Sequence, residues 1–520
     1  MLKKLSVVSA ILIAFVLLVP GLSLAAKDHS QKPTLAWTQN INSQAPVVHG
    51  LAYGGALYAG GLYIDPGTLT PKWRIEKRNE SAGDLVTGFA GNGVAISEVI
   101  GEVTAFAADD AGLFAAGIDI TPGDDYEWRI EKRDLNTGAL NADFGAGGVI
   151  TDNPSAGDDV ITAVVINGSN NSFYVVGYNY ILGVIPQYQI ERRDLRSGAL
   201  IAEFGTAGVV TENPGSPAVP YSAALDSGGL YVGGVDSGGT GGAPEWRIEK
   251  RDLNYGGLLS GFGTGGVVTE YISGATSGAD FLTSLAVNSS ALYVTGVTNV
   301  GVGGNQSWRI EKRNTSTSEL ISDFGSGGVV SETPDASGGT PTSIVLDSTG
   351  LYVGGYIGQA FILDGFSVDS KGDVSVKSDP LVKVGVGNPS DLYWRVVKRD
   401  LTSGALSSNF FDSGVYTYNP NTTDSDYDEI FNIDIDDNGL YIFGMSNASR
   451  SEYAWVIQEL QFPDAVEAAA TSTATATPET LPETGADGSQ SSSNLPIIAA
   501  IIPLILVVGS VLLMRSRTWV

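Results

Sequence analysis

Acid–base and nucleophilic chemistry has few residues to draw on in this 520-residue chain, which holds two histidines, His29 and His49, and no cysteine. His29 stands ahead of the repetitive domain described below. No Ser/His/Asp or Cys/His arrangement is therefore expected, and thiolate metal sites and disulfides are impossible. HExxH, Walker-type and dinucleotide fingerprints are absent. Glycoside hydrolysis needs only a suitably spaced pair of carboxyl groups. Distant repeats can assemble such a pair, which keeps a carbohydrate-active enzyme as the alternative to a non-catalytic protein. Two acidic runs invite a cation. Asp434-x-Asp436-x-Asn438-Gly439 opens like an EF-hand loop, but its twelfth position is Met445 where that loop needs a bidentate Glu. In register with Asp226-Ser227-Gly228-Gly229, the stretch Asp436 to Gly439 reads as a turn between strands. Asp424, Asp426, Asp428 and Glu429 form the candidate Ca²⁺ site, set against a plain solvated loop; no other cofactor is expected.

The most specific chemical motif lies near the C-terminal end. Leu481-Pro482-Glu483-Thr484-Gly485 precedes a polar spacer, an apolar run of 20 residues from Leu495 to Met514, and then Arg515 and Arg517. As a helix, such a run rises about 30 Å, enough to cross a bilayer, and the arginines would hold its end in the cytoplasm. This order resembles the cell-wall sorting signal of sortase substrates. The resemblance implies cleavage between Thr484 and Gly485, transfer of Thr484 to a cell-wall amine, and a bacterium of Gram-positive type. An uncleaved membrane anchor is the alternative, and either way the preceding domain faces outward. Residues 1–26 read as a signal peptide: Lys3 and Lys4, an apolar run from Leu5 to Val19, then small residues at Ser23 to Ala25. The Ala/Thr-rich segment 464–480 reads as a flexible stalk.

The formal net charge is −28, and 17 of the 29 Lys and Arg residues sit in six copies of one short motif. The remaining surface of the domain must be acidic, which speaks against nucleic acid as a partner.

That motif belongs to a repeat of about 60 residues, and the repeat sets the architecture. Trp-Arg-Ile-Glu-Lys-Arg begins at Trp73, Trp128, Trp246 and Trp308, with variants at Tyr188 and Trp394 and a degenerate seventh copy at Trp455. Sixteen residues after each of the first six comes Phe89, Phe144, Phe204, Phe262, Phe324 or Phe410. A Leu-Tyr-Val-Gly-Gly type marker precedes each copy. Each repeat reads as four short strands, with the fourth ending near Phe144-Gly145 in the second repeat. Alternation puts Trp73, Ile75 and Lys77 on one face of the third strand and Arg74, Glu76 and Arg78 on the other. Recurrence at fixed register argues for ion pairing between repeats, of the exposed and weak kind. The seventh repeat lacks a fourth strand, and the stretch around Thr34 to Trp37 is available to supply it.

Four strands per repeat, seven repeats and a borrowed strand describe an all-β, seven-bladed β-propeller over residues 27–463 whose last blade is completed by the N-terminal strand. The three markers are similar to the delta-60 repeat family of bacterial β-propellers, including Phe-Gly-Thr-Gly-Gly-Val-Val at 262–268. The resemblance implies the fold and carries no common activity.

Two irregularities mark where function can be added. An insertion at about 361–391 lengthens the loop between the second and third strands of the sixth repeat. In the first strands, one register column reads His49, Ala105, Ala163, Ser222, Ser284, Ser343, Asn432. His49 and Asn432 are its two large polar members, and they mark a candidate pocket at a central channel, the alternative being a hydrogen bond between adjoining repeats. Together these features point to an exported, surface-anchored, non-catalytic protein that binds an extracellular glycan or protein, with a carbohydrate-active enzyme or a structural envelope role as alternatives.

Overall fold

The structure, a computed structural model, describes residues 27–464 except 43–46, 69, 123–124, 182–184, 215–216, 239–242, 274–278, 301–305, 335–337, 359–365, 369–373, 377–391, 420–427 and 450–451. The signal peptide, nearly all of the stalk, Leu481 to Gly485 and the apolar run 495–514 lie outside the described residues. Among the described residues no helix is long and apolar enough to cross a membrane. Of the insertion, two short strands are described, Phe366–Val368 and Val374–Val376, paired antiparallel.

The chain is all-β and built from antiparallel sheets, five of them four-stranded. In the fourth repeat the order is Ala218–Asp226, Gly229–Asp236, Glu245–Arg251, Val267–Glu270, each strand pairing with the next. The third, fifth and sixth repeats follow the same order. The first two repeats differ from the expected pattern because they share one strand, Val94–Asp109, and form a seven-stranded sheet. Its first half pairs with Pro71–Asn79 and its second half with Gly112–Ile120. No loop separates the halves, so the fourth strand of one repeat runs directly into the first strand of the next.

The seventh repeat supplies Glu429–Ile435, Gly439–Ser449 and Glu452–Gln461, and the outer strand of its sheet is the N-terminal Thr34–Asn42. Trp37 stands opposite Glu459, and Ile41 opposite Trp455.

The tryptophan and glycine markers explain one another. Trp128, Trp246, Trp308 and Trp394 are at most 1% exposed. Each presses its indole onto the second strand of the following repeat. A Cβ on Gly177, Gly296, Gly355 or Gly444 would meet the indole of the preceding repeat at 2.8, 2.6, 2.9 and 2.6 Å. Contacts that close admit only hydrogen, so the glycine sets the spacing and the tryptophan fills it. Truncating such a ring to alanine costs about 3–5 kcal/mol.

Two expectations need correction. The fourth strand does not end at the Phe-Gly segment; it follows it. In the second repeat the strand is Val149–Asp152, while Phe144 is a fully buried plug in the preceding loop. Gly145, Gly147 and Gly148 adopt φ of +53°, +68° and +98°, which breaks any strand there. The ion pairs, moreover, are buried rather than exposed. Glu249 is fully buried between Arg247 and Arg251, at 2.6 Å from each. Most of this pairing runs along one strand. The final arginine adds the contact between repeats, Arg251 to Glu212 at 2.9 Å and Arg399 to Glu332 at 2.6 Å.

Candidate functional site

Every first strand contains a β-bulge at the same place. The ladder skips Val48, Thr104, Thr162, Tyr221, Thr283, Thr342 and Phe431 in turn. A bulge sets two residues of one strand against one of its partner and re-aims side chains. Here both the skipped residue and its successor line one cavity of about 240 Å³. The successors are the register column read from the sequence, so His49, Asn432 and the five small residues face the same space, contributed by all seven repeats.

Most polar groups of this lining are already engaged. Thr104, Thr283 and Thr342 donate through Oγ1 to the carbonyls of Ile161, Pro341 and Ile430 in the following repeats, at 2.6, 2.7 and 2.8 Å. Three of the column residues accept a backbone N–H from the next first strand. Ser222 accepts from Leu285 at 3.1 Å and Ser343 from Ile433 at 3.2 Å. Asn432 Oδ1 accepts from Gly50 at 3.1 Å, the same contact made between the seventh repeat and the first. Asn432 therefore lines the cavity and also carries the hydrogen bond between adjoining repeats that was its alternative reading.

His49 is different. Its ring stands edge-on to Phe106 at 6.1 Å between centroids. Nδ1 is buried and finds no hydrogen-bond partner among the protein atoms. Burial pushes the imidazole down to about 4, so it is neutral at pH 7.

Asp434, two residues beyond Asn432 and on the same face, was not singled out for this site. It is not part of the turn: it sits in the strand and accepts N–H groups from Ala52 of the first repeat at 2.7 Å and from Ile435 at 2.9 Å. Burial pushes its carboxyl up to about 7, against the pull of those two bonds. The signal was present in the register, since the other repeats place Leu51, Ala107, Val165, Ala224, Ala286 and Val345 at this position.

The acidic cluster divides. Asp424 and Asp426 lie outside the described residues. Asp428 and Glu429 are at most 1% exposed, which corrects their reading as a solvated loop. Asp428 occupies the position of Asp159 and Asp280, three residues before the bulge. Asp280 accepts the N–H groups of Ile272 and Ser273, each at 2.7 Å, and Asp159 accepts from Ser155 N at 2.9 Å. That position shapes the loop entering the first strand. Asp436 to Gly439 is the turn expected, with Asn438 and Gly439 donating to Asp436 Oδ1 at 2.8 and 3.1 Å. Among the described residues no group of three His, Cys, Asp or Glu side chains is arranged to hold a metal ion.

His29 belongs to the domain, contrary to its placement ahead of it. Its Nδ1 lies 2.6 Å from Asp347 Oδ2 and its Nε2 3.0 Å from the Asp437 carbonyl, and its ring stacks on Phe462 at 4.1 Å. Lys398 donates to its carbonyl, as Lys77 donates to that of Leu135. Residues 28–31 thus replace the turn that the seventh repeat lacks. Lys27 and Asp464 pair at 2.7 Å beside it. A larger open groove of about 600 Å³ lies between Val267–Glu270 and the turn at Ser318 to Leu320. It recurs one repeat earlier beside Val209–Glu212, so it is a feature of the repeat rather than a specialised site.

No family model and no curated protein matches the chain. Solved structures give remote likenesses. A Drosophila structure described as Semaphorin 1b, extracellular domains 1–2, is 10% identical at a TM-score of 0.40, covering 83% of this chain and 87% of that one. The β-propeller domain of the Trilobed protease from Pyrococcus furiosus is 10% identical at 0.40, covering 80% and 95%. Pyrococcus horikoshii acylaminoacyl peptidase is 9% identical at 0.39, covering 80% and 52%. Likeness at this level decides neither an activity nor a ligand.

Proposed function

We propose that the seven repeats form a closed, seven-bladed β-propeller of the delta-60 repeat type, exported and displayed on the cell surface. Its cavity binds an extracellular partner, a glycan or a protein, without chemical turnover. Supporting closure are the N-terminal strand on the seventh repeat and the Gly50–Asn432 bond, which repeats between the seventh repeat and the first the contact seen elsewhere. Supporting display is the sequence at the two ends, with sortase acting at Thr484 and the signal peptide removed near residue 26.

The observation that carries the binding reading is the conserved geometry of the bulges, in which seven strands aim paired side chains at one space. The lining offers hydroxyls, the rings of Tyr221, Phe431 and Phe106, and a neutral imidazole. Such surfaces suit a neutral polar group.

The test is to screen the secreted chain against glycans and matrix proteins, with and without calcium. Binding that is lost in His49→Ala, while Ser284→Ala retains it, supports the reading. Turnover of a sugar substrate would replace it with the enzyme alternative. Mass spectrometry of cell-wall digests tests the anchoring separately, through a peptide ending at Thr484 joined to a wall fragment.

A further inference from the structure

Successive repeats are clipped together by a basic side chain. The fifth residue of each third-strand motif donates to a carbonyl in the turn of the following repeat: Lys77 to Leu135, Lys132 to Leu195, Lys250 to Thr315 and Lys312 to Leu401, all within 2.7–2.8 Å. Arg192 does the same to Asn254 at 3.1 Å, and Lys398 to His29. The seam between the seventh repeat and the first breaks this rule. Its fifth motif residue is Glu459, and the facing turn carries Glu80 where others carry Leu135, Leu195 or Leu401. The carbonyl of Glu80 accepts instead from the indole N–H of Trp37, at 2.7 Å.

Three carboxyls therefore meet where the other contacts hold an ammonium or guanidinium group. Glu459 is 1% exposed and Glu80 8%, and each keeps one buried oxygen, Oε2 and Oε1, without a partner. Glu80 Oε2 accepts from Asn438 at 2.8 Å, and the charge of Asp436 acts on the same carboxyl. Buried carboxyls crowded in this way favour the uptake of a proton. Tyr441, hydrogen-bonded to Asp436 at 3.2 Å, feels the charge of all three. Lys27, paired to Asp464, is the nearby cation, and Asp437 offers its carbonyl to His29.

We propose that the seam is an acid-held latch: protons bound by Glu80 and Glu459 replace the basic clip, and their loss at alkaline pH releases the N-terminal strand Thr34–Asn42. Burial and the charge of Asp436 raise Glu80 to about 7. Burial chiefly raises Glu459 to about 7 as well, with Lys27 and Trp37 pulling against it. Groups raised in the folded state give their full contribution below the ordinary glutamate value and lose it as pH rises through about 7.

Hydrogen exchange of the full chain tests this, read by mass spectrometry at about pH 5.5 and about pH 8.5 and corrected for intrinsic rates. Opening of Thr34–Asn42 should increase at least about tenfold at the higher pH, one pKa unit's worth of linkage, while Leu351–Ile357, a strand without a carboxyl, stays unchanged. In a His29→Gln background, Glu80→Gln/Glu459→Gln and Glu80→Gln/Glu459→Lys should each abolish the pH response, the latter by restoring the clip. A response that persists in both variants, or none in the parent chain, overturns the proposal. So does recovery of protection by millimolar calcium at the higher pH in the parent chain alone, which would make a divalent cation the occupant.

Discussion

The chain holds only two histidines, and the structure drives them in opposite directions, so one pH titration reads both. Burial lowers His29, but the hydrogen bonds to Asp347 and to the Asp437 carbonyl, with the Asp347 charge, outweigh it and raise the imidazole above 6.5. His49 has burial alone and falls to about 4. A depression from 6.5 to about 4 is worth up to about 3 kcal/mol of linkage. The figure is a ceiling because the ring opens on the cavity while Nδ1 is enclosed. The unfolded chain accepts a proton on His49 near 6.5, whereas the folded chain refuses it until near 4. That contribution to stability is complete above 6.5 and drains away as pH falls between the two values. His29 works the other way: its contribution is complete below 6.5 and is lost as pH rises through its raised value. Carbon-13 labelling of histidine gives two C2–H signals, assigned with a His29→Gln variant. One should complete its shift above 6.5, and the other should still be neutral at about pH 5.5. Two signals that titrate together near 6.5 would refute both placements, the buried imidazole in the cavity and the ion-paired one at the seventh repeat.

Five substitutions test the scaffold by urea unfolding followed through tryptophan fluorescence. Glu249→Gln leaves Arg247 and Arg251 buried without their shared carboxylate, and should cost about 3–5 kcal/mol, since breaking a buried pair strands its partner; a loss under about 1 kcal/mol would contradict the pairing. Thr342→Val removes the 2.8 Å bond to the Ile430 carbonyl and should cost about 1 kcal/mol. Thr162→Val should cost less, because its contact to the Val176 carbonyl is 3.3 Å. Gly263 and Gly265 share a left-handed φ, +54° and +66°, but a Cβ on Gly263 would lie 2.2 Å from the Val267 carbonyl while Gly265 faces open space. Gly265→Ala should cost about 1 kcal/mol and Gly263→Ala clearly more; equal losses would mean that the loop has no close approach there.

What the sequence disclosed well was anything repeated at fixed register. The third-strand tryptophans, the strand borrowed from the N-terminal region, the Asp436 turn and the column from His49 to Asn432 all follow from alternation and spacing. Strand period says which face a side chain takes. It does not say which neighbour waits on that face, so the motif arginines were expected in exposed pairs when they are buried. Glycine runs signal a special backbone without saying whether a strand precedes or follows it, and the fourth strand was accordingly placed too early. Asp434, Glu80 and Glu459 were hidden for another reason. Each is ordinary by itself and conspicuous only against the residue that six other repeats put in the same place.

Those departures collect where the first and seventh repeats meet: His49 and Asn432 at the cavity, Asp434 on Ala52, Glu80 with Glu459 at the outer turn, and His29 against Phe462. A repetitive scaffold has reason to change here rather than elsewhere. At the other contacts a glycine, an aromatic ring and a basic side chain must fit in succession, and a substitution that suits one neighbour has to preserve the spacing of the next. The seam is also where two chain segments, residues 27–42 and 452–464, associate without a covalent turn between them. A borrowed strand can dissociate, whereas a hairpin strand remains tethered. Side chains that alter the affinity of that strand therefore alter opening of the whole scaffold, and a change in the cavity a few residues inward, through Asn432 and Gly50, acts on the same contact. Occupation of the cavity and closure of the seam are in this way tied to one pair of strands, Val47–Tyr53 and Glu429–Ile435. A ligand that orders His49 and Asn432 should accordingly slow exchange of Thr34–Asn42, and a ligand that binds with no effect on that strand would show that the two are independent.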